Sequence, residues 1–409
     1  MPAITSPIAH SRRTAVRATT CAASLGAALL LLAGCSDAVT TPAPADAPAA
    51  SAVTADRGLA TLAWQRTAQG LVAKYAASAL LGARVYSLVS VARYAAVVDA
   101  EQGEGRRDFE AERGAIAGAS AAVLASFYPA EARSLEAMVL AQGEEGPGRT
   151  HPHYTRGVEI GEAAAAQVLA RAVTDGYTTP WTGTVPVGPG LWLRLAPPAG
   201  VQLPGMKPFF LTSGSQFRPG PPPAFGSPEY QSALDAVRYA SDHRTTERDS
   251  ISRYWGISAI TTAGQWGVRA AGLIEAAGLD EREASHVLAL MDATMIDASI
   301  ACFDAKYTYW FIRPSHADPA IKLPVGLPSH PSYPSGHSCV SGSAAGVLAS
   351  VFPAAGPALM AEVAEAGQSR FYAGLHYQFD ILAGQKIGRQ AAETALEFDR
   401  TRGLLSAIR

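Results

Sequence analysis

Helical periodicity runs through most of this 409-residue chain and limits the possible folds more than any other feature. Apolar residues recur at steps of three and four over 61–99 without an internal proline, which places them on one face of an α-helix. Similar patterns fill nine further segments: 107–126, 130–141, 154–174, 228–242, 246–277, 281–312, 335–351, 356–368 and 374–395. No stretch of comparable length alternates apolar and polar residues as a half-buried strand does. The sequence therefore predicts an all-α protein whose helices pack as bundles.

The composition excludes disorder and argues against nucleic-acid binding. Apolar residues make up 48% of the chain and charged residues 17%, below the roughly 25% charged residues of soluble domains. Lys and Arg together number 33 against 35 Asp and Glu, so no positive excess is present to bind a phosphate backbone. We therefore expect no nucleic-acid partner.

Residues 1–34 have the pattern of an export signal. Three arginines and no acidic residue precede the apolar run from Leu25 to Leu32. The segment that ends in Leu-Ala-Gly followed by Cys35 resembles the lipobox of bacterial lipoproteins, and this resemblance implies cleavage before Cys35 and lipidation of that residue. Ser36 follows in place of an acidic residue, which in such signals favours the outer membrane. An ordinary cleaved signal with a chance cysteine is the alternative.

The sequence divides the chain into a signal at 1–34, a tether at 35–56 and a folded domain at 57–409. The tether is rich in Ala, Pro, Thr and Asp, and such a segment buries too little apolar surface to order itself. A long uncharged stretch of the domain, 339–361, is interrupted by prolines and is too broken to span a bilayer. We expect an exported cell-envelope lipoprotein that contacts the membrane only through its lipid anchor, on the periplasmic side or in the outer membrane.

The connection between Gly176 and Pro228 does not follow the helical pattern. It contains many prolines and glycines with interspersed aromatic residues, and structureless connections of this length are uncommon in compact domains. One interpretation is a loop that covers a functional site. The other is a loop that wraps over the bundle surface and is anchored there by its aromatic side chains.

Two positively charged residues, Lys306 and Arg313, open the first of three clusters in the C-terminal third. They are seven positions apart, which on a helix is two turns, so both side chains are predicted to project from nearly one face. Pro314 is predicted to end that helix just beyond them.

The second and third clusters supply a helix N-terminus and histidines. A proline precedes Ser335 and Gly336, so a helix is predicted to begin where the Ser335 hydroxyl and the Gly336 amide can bind an anion. Arg370 precedes His376, and Asp380 follows that histidine by four positions, on the same predicted helical face. Asp380 can thus hold one imidazole nitrogen and orient the other.

Together these clusters predict a pocket for a small, multiply charged tetrahedral oxyanion. Arg313 and Arg370 offer the forked donors that phosphate-like groups prefer, and Lys306 adds a third positive charge. The oxyanion site is predicted within 281–395.

The three motifs resemble those of the superfamily shared by vanadium-dependent haloperoxidases and type-2 phosphatidic acid phosphatases. In this chain they are Lys-x6-Arg-Pro, Pro-Ser-Gly-His and Ser-Arg-x5-His-x3-Asp, which together span 306–380. A weaker likeness to bacterial haloperoxidase-like proteins extends to 83–88 and 215–219. The resemblance implies an all-α fold and a vanadate cofactor.

By position, the resemblance also implies a role for each residue. Five residues would bind the equatorial oxygens of vanadate: Lys306, Arg313, Ser335, Gly336 and Arg370. His376 would bond to vanadium itself, His337 would be the acid-base residue, and Lys306 would polarise bound hydrogen peroxide for attack by halide. In a phosphatase the same pocket would use His376 as the nucleophile and His337 as the acid. The motifs alone therefore leave both reactions open.

His330 is the sequence feature that favours the haloperoxidase reaction over the phosphatase reaction. It lies seven residues before His337. In this position the chain resembles the algal bromoperoxidases, which carry a second active-site histidine there. The alternative is a loop histidine without a role. On this basis the sequence predicts a vanadate-dependent haloperoxidase that uses hydrogen peroxide and halide. A soluble acid phosphatase acting on a phosphate ester is the first alternative, and a non-catalytic oxyanion-binding lipoprotein is the second.

Two further expectations remain open. Cys302 and Cys339 lie inside the motif region, where they either form a disulfide or are simply two small buried residues. A homodimer is implied only by the resemblance.

Overall fold

The protein is built almost entirely of helices. The computed structural model describes residues 58–104, 107–146, 149–194 and 196–407. Within these ranges it contains thirteen α-helices and one antiparallel pair of short strands, β1 (Glu144–Gly146) and β2 (Arg149–Thr150). The predicted all-α class is confirmed.

The described residues all belong to one compact unit. The signal at 1–34, the tether at 35–56 and the lipidation of Cys35 lie outside the described residues. These three predictions, and the cellular location that depends on them, stay predictions.

Five helices form the first half of the domain, and two of them replace one predicted helix. They are α1 (Ala60–Lys74), α2 (Ala79–Glu104), α3 (Phe109–Phe127), α4 (Ala132–Gly143) and α5 (Pro152–Thr174). The single helix predicted over 61–99 is wrong, because the chain turns between α1 and α2, where Ala76 has a left-handed φ of 46°. The apolar period continues across this turn, and no proline or glycine marks it.

Eight helices form the second half. They are α6 (Pro228–Asp242), α7 (Thr246–Gly256), α8 (Thr261–Ala277), α9 (Glu281–Tyr309), α10 (Pro314–Ala317), α11 (Gly336–Val351), α12 (Gly356–Tyr372) and α13 (Gln378–Arg402). The helix predicted over 246–277 is divided into α7 and α8 at residues 257–260.

Helices α2 and α9 form the centre of the molecule and pack against each other. Both are long and apolar enough to cross a membrane by length and composition alone, but 89% and 94% of their apolar windows are buried inside the protein. Such burial is typical of core helices. Helix α9 begins with a capping box in which the Asp280 side chain accepts from the Glu283 amide and the Glu283 side chain accepts from the Asp280 amide.

Helices α9, α11, α12 and α13 pack together as a C-terminal bundle. Close approach of α13 to α11 depends on Gly384 and Gly388. A Cβ atom at these positions would lie 2.5 Å from the Ser335 oxygen and 2.4 Å from the Cys339 oxygen. The two glycines therefore bring the N-terminal turn of α13 beside the N-terminus of α11.

The long connection 176–227 is tied to helix α9 by two carboxylates. Three consecutive backbone amides, 209–211, donate to the side chain of Asp297 at 2.7–3.1 Å. Arg218 donates two hydrogen bonds to Asp304, at 2.6 and 2.8 Å. These contacts hold the connection along the C-terminal half of α9.

Candidate active site

Lys306 lies in the last turn of α9 and is completely buried. Its ammonium donates to the carbonyl oxygens of Pro331 at 2.8 Å and Ser332 at 2.9 Å, and also to that of Pro334. Burial lowers the pKa of Lys306 to about 8. The ammonium is thus held at the segment that leads into α11.

Arg313 does not share a helical face with Lys306, contrary to the sequence prediction. Helix α9 ends at Tyr309, because Trp310 adopts a left-handed φ of 49°. The next residue, Phe311, pairs with Leu191 of the long connection in an antiparallel β-bridge. Arg313 therefore follows in extended backbone, the conformation preferred before a proline.

The Arg313 guanidinium is nevertheless directed at the predicted site. It donates to the carbonyl oxygens of His330 at 3.0 Å and Leu375 at 2.9 Å. It also lies 3.1 Å from Nε2 of His376 and 3.0 Å from Nδ1 of His330. Burial lowers the pKa of Arg313 to about 10, so the side chain remains a cation at neutral pH.

Arg370 reaches the site from the last turn of α12. Its Nη2 donates to the Ser252 carbonyl at 2.5 Å, and its Nε donates to Ser369 Oγ at 2.9 Å. Gly256, at the end of α7, lies so close that a Cβ atom there would be 2.9 Å from Nη1 of Arg370. Burial lowers the pKa of Arg370 to about 10. The C-terminal end of α7 thus fixes the direction of this guanidinium.

His376 contacts Asp380 as predicted, but not from one helical face. Helix α13 begins at Gln378, so His376 precedes it, while Asp380 occupies the third helical position and completes a capping box. Nδ1 of His376 lies 2.8 Å from Oδ2 of Asp380. A carboxylate accepts, so Nδ1 carries the proton and Nε2 holds a lone pair. Burial lowers the pKa of His376 well below its usual range, and the ring is neutral.

The Ser335, Gly336 and His337 motif begins α11 as predicted. Ser335 is the N-cap residue, and its Oγ accepts from the Ser338 amide at 3.4 Å. Nε2 of His337 lies 2.9 Å from the Trp255 carbonyl, to which it donates, so Nδ1 is left as the basic nitrogen. Burial, together with the charge of Arg370, lowers the pKa of His337 to about 3.

His330 also lies at the site. Nδ1 of His330 lies 3.0 Å from the Arg313 guanidinium and 3.2 Å from the Pro331 carbonyl oxygen. Its ring packs edge-on against Phe303, with 5.1 Å between the centroids. Burial lowers the pKa of His330 well below its usual range, so this histidine is also neutral.

A cavity of 360 Å³ opens beside these side chains. Five of the predicted site residues line it: His330, Gly336, His337, Arg370 and His376. The other predicted residues are buried outside its lining, among them Lys306, Arg313, Ser335 and Asp380. Apolar side chains form much of the remaining wall, including those of Leu80, Phe303 and Val340.

The long connection both lines this cavity and is anchored to the bundle, so both interpretations of it hold. Tyr177, Gly200 and Gln202 face the cavity. The Ala199 amide donates to the Ser329 carbonyl at 2.7 Å, and the Tyr307 hydroxyl donates to the Ala199 carbonyl at 2.5 Å.

The charges of the site do not balance. Three cations, Lys306, Arg313 and Arg370, accompany one carboxylate, Asp380, while the histidines are neutral. An excess of two positive charges favours a dianion. No group of three or more His, Cys, Asp or Glu side chains suited to a metal cation occurs in the ranges that the structure describes. The arrangement is that of an oxyanion site.

Several groups that orient the site residues were not predicted from the sequence. Ser332 donates to Asp380 Oδ2 at 2.6 Å from its hydroxyl. The carbonyls of Ser252 and Trp255, on α7, orient Arg370 and His337. The position of Ser332, between His330 and Ser335, was a usable signal. The carbonyls of Ser252 and Trp255 give no signal in the sequence, because every residue has a backbone carbonyl.

Comparison with known proteins agrees with this description. Residues 287–401 match the family model described as the PAP2 superfamily. A solved bacterial vanadium-dependent iodoperoxidase is similar to the chain with a TM-score of 0.70 and 24% sequence identity, over 82% of this chain and 95% of that one.

A bacterial vanadium-dependent chloroperoxidase is similar in two solved forms. The holo form has a TM-score of 0.64 and 16% identity, over 81% of this chain and 93% of its own. The apo form has a TM-score of 0.65 and 17% identity, over 80% and 94%. The superfamily predicted from the three motifs is confirmed. Residues 287–401 carry the likeness to the PAP2 superfamily, and the chain has the all-α fold of the solved vanadium-dependent haloperoxidases.

Proposed function

We propose that this protein is a vanadate-dependent haloperoxidase that oxidises halide with hydrogen peroxide. The observation that carries the proposal is a neutral histidine, His376, whose Nε2 lone pair faces the buried Arg313 guanidinium, with the buried cations Lys306 and Arg370 at the same site. Three solved structures of vanadium-dependent haloperoxidases that are similar to this chain support it. The position of His330 beside Arg313, at the cavity wall, supports it further.

The residues present fit vanadate by the chemistry of their donors. The oxygens would be held by the five residues named from the motifs: Lys306, Arg313, Ser335, Gly336 and Arg370. His376 would bond to vanadium through Nε2, because Asp380 keeps the proton on Nδ1. When bound, vanadate supplies a Lewis-acidic centre that activates peroxide toward a nucleophilic halide.

The chain's own residues supply orientation, charge and proton transfer. Nδ1 of His337 is free to accept a proton from hydrogen peroxide, because Nε2 is engaged with the Trp255 carbonyl. A bound anion raises the low pKa of His337 and makes it a better base. Lys306 and Arg313 stabilise negative charge that develops on the oxygens, and their burial strengthens this effect.

The test is a pair of assays on the purified chain. After reconstitution with vanadate, peroxide-dependent iodination and bromination of a phenol are measured beside hydrolysis of p-nitrophenyl phosphate. We expect halide oxidation that requires both vanadate and peroxide. Phosphomonoester hydrolysis without halide oxidation would overturn the proposal in favour of an acid phosphatase. Neither activity, with phosphate still bound, would indicate an oxyanion-capturing protein.

His330 provides a second test within the same assays. His330→Ala is expected to reduce halide oxidation more than phosphomonoester hydrolysis, since a phosphatase needs only His337 and His376 for its chemistry. His243→Ala is the matched control, because His243 is exposed at the end of α6. Equal losses in both assays would remove His330 from the argument for a haloperoxidase.

A further inference from the structure

Two cysteines lie directly under the oxyanion site, and no step of the proposed reaction uses them. Cys302 is on α9, one turn before Lys306, and Cys339 is on α11, one turn after Ser335. Both are free thiols with no exposed surface, and they belong to one apolar cluster between α9, α11 and α13. The two helices that carry them also carry Lys306 and His337.

The two thiols differ in their access to the cavity. Cys302 lines it, together with Gly336 and Val340, whereas Cys339 is not part of its wall. The Cys302 thiol donates to the Pro334 carbonyl, with 3.8 Å between sulfur and oxygen. The same carbonyl accepts from the Lys306 ammonium. Of the two thiols, Cys302 is therefore the nearer to a small oxidant in the cavity, and any change at its sulfur reaches an acceptor of Lys306.

The surroundings also favour Cys302 as the reacting thiol. Burial raises its pKa, but hydrogen bonding with Cys339 and the charge of Lys306 outweigh burial, and the net pKa is lowered. Burial and the same hydrogen bond raise the pKa of Cys339 well above its usual range. One thiol is thus prepared to ionise while its neighbour stays protonated.

We propose that Cys302 and Cys339 form a peroxide-sensitive dithiol pair that closes into a disulfide between α9 and α11 and weakens oxyanion binding. The inference rests on the proposed function only for the source of the oxidant, hydrogen peroxide. The thiolate of Cys302 attacks one peroxide oxygen, the O–O bond breaks, and the hydroxide that leaves takes up a proton to become water.

The second step closes the disulfide. Cys302 is then a sulfenic acid, and the sulfur of Cys339 attacks the sulfur of Cys302. The S–O bond breaks, and the hydroxide that leaves takes up the proton of Cys339 as a second water. Two thiols are oxidised by two electrons, and one peroxide molecule is reduced to two waters.

The disulfide affects the site through the shared carbonyl and the two helices. A bond of about 2.05 Å between the sulfurs draws the Cys302 sulfur toward Cys339 and ends its donation to the Pro334 carbonyl. That carbonyl lies directly before Ser335 and helps to hold Lys306. Oxidation therefore disturbs a cation and a helix N-terminus of the oxyanion site together.

The experiment uses the full chain without vanadate or halide. Reduced protein is treated with hydrogen peroxide, the cross-link is located by peptide mass mapping, and phosphate affinity is measured by titration calorimetry before and after. We expect a Cys302–Cys339 peptide pair and a phosphate affinity about fivefold lower, at the lower end of coupling between sites. Dithiothreitol is expected to restore both.

Two variants separate the steps. After peroxide treatment, Cys339→Ser is expected to hold a Cys302 sulfenic acid that a dimedone probe labels. Cys302→Ser is expected to show no labelling, and its phosphate affinity is expected to be the same before and after peroxide treatment. Thiols that stay free after peroxide treatment, or a disulfide that leaves phosphate affinity unchanged, overturn the inference. Because no step requires turnover, a chain that forms the disulfide but oxidises no halide refutes the proposed function and not the dithiol pair.

Discussion

Helix α9 carries two buried groups of charged side chains, and they differ in how their charges balance. Near its middle, Asp292 interacts with Arg93 of α2, and both are buried. Arg93 donates to the Thr61 carbonyl and to the Gln65 side chain, at 2.7 Å each. At its C-terminal end, by contrast, Lys306 and Arg313 act on a single carboxylate, Asp380, and Arg370 lines the adjoining cavity.

The difference teaches that buried charge alone does not mark a functional site. In the first group one cation, Arg93, lies near two buried carboxylates, Asp292 and Glu281, and protein atoms accept the hydrogen bonds of the cation. In the second group an excess of two positive charges borders space that a ligand can enter. A substitution in the second group should therefore weaken anion binding, whereas one in the first group should lower stability and leave anion binding unchanged. Comparing the two kinds of substitution tests this distinction.

The largest expected effect is that of His376→Ala. Loss of the His376 nitrogen that faces Arg313, on a ring oriented by Asp380, should lower halide oxidation, and any phosphomonoester hydrolysis, by about a thousandfold or more. His243→Ala, at an exposed position, should leave both rates unchanged. Circular dichroism is measured on both variants to verify the fold. Activity within tenfold of the parent would remove His376 from the chemistry.

Matched substitutions of two buried arginines come next. Arg313→Met should weaken phosphate binding in calorimetry by about 1.5–3 kcal/mol, roughly 10- to 100-fold, as expected for hydrogen bonds to a charged group. Arg93→Met should leave phosphate affinity unchanged but reduce the free energy of unfolding by about 1–3 kcal/mol, because the Thr61 carbonyl and the Gln65 side chain lose their buried donor.

Denaturant titration of Arg93→Met and Arg313→Met completes this test. Equal losses of phosphate affinity in the two variants would contradict the distinction between the groups. If Arg93→Met does not fold, Arg93→Lys keeps the charge and is compared in its place.

The sequence was sufficient for the fold class and for the set of side chains that the structure brings together, but not for their geometry. The segment from Trp310 to Ile312 continues the apolar period of α9, so the sequence predicted Lys306 and Arg313 on one helix. The β-bridge of Phe311 to Leu191, more than a hundred positions away, removes that segment from the helix. Periodicity reports only local neighbours, and a long-range pairing of this kind leaves no periodic signal.

The contact of His376 with Asp380 was predicted correctly for an incomplete reason. A spacing of four brings side chains together inside a helix, but here it joins a residue before the helix to the third residue within it. The groups contributed by α7 could not be predicted at all, because they are backbone carbonyls placed by tertiary packing.

The role of α7 leads to a third prediction, of intermediate size. Gly256→Ala should lower phosphate affinity about five- to tenfold, as expected when one hydrogen bond worth about 1–1.4 kcal/mol is misdirected. The new methyl group would lie 2.9 Å from Nη1 of Arg370 and force the guanidinium to move. Gly272→Ala in α8 is the control, since nothing lies within 4 Å of its Cβ position, and it should leave affinity unchanged. Equal affinities in both variants would remove α7 from the positioning of Arg370.

The smallest expected effect is the pH dependence of anion affinity. It distinguishes the two groups because their cations lose their protons at different pH values. Burial lowers the pKa of Lys306 to about 8, whereas Arg93, at about 10, keeps its proton at any pH below 9. As pH rises through 8, Lys306 loses its proton and the excess falls to one positive charge. Anion affinity should therefore fall between pH 7 and 9, by at most about tenfold per pH unit.

Sulfate is the probe for this measurement, because its own charge is constant over that range. Cys302, Arg313, Asp380 and Cys339 also act on Lys306. Asp380, with a pKa of about 6, and Arg313, with one of about 10, keep their charges from pH 7 to 9. Cys302→Ser should retain the decline in affinity, and Lys306→Met should abolish it. A flat or rising profile in the parent chain would mean that Lys306 keeps its proton, and the site would then hold its full excess charge at every pH tested.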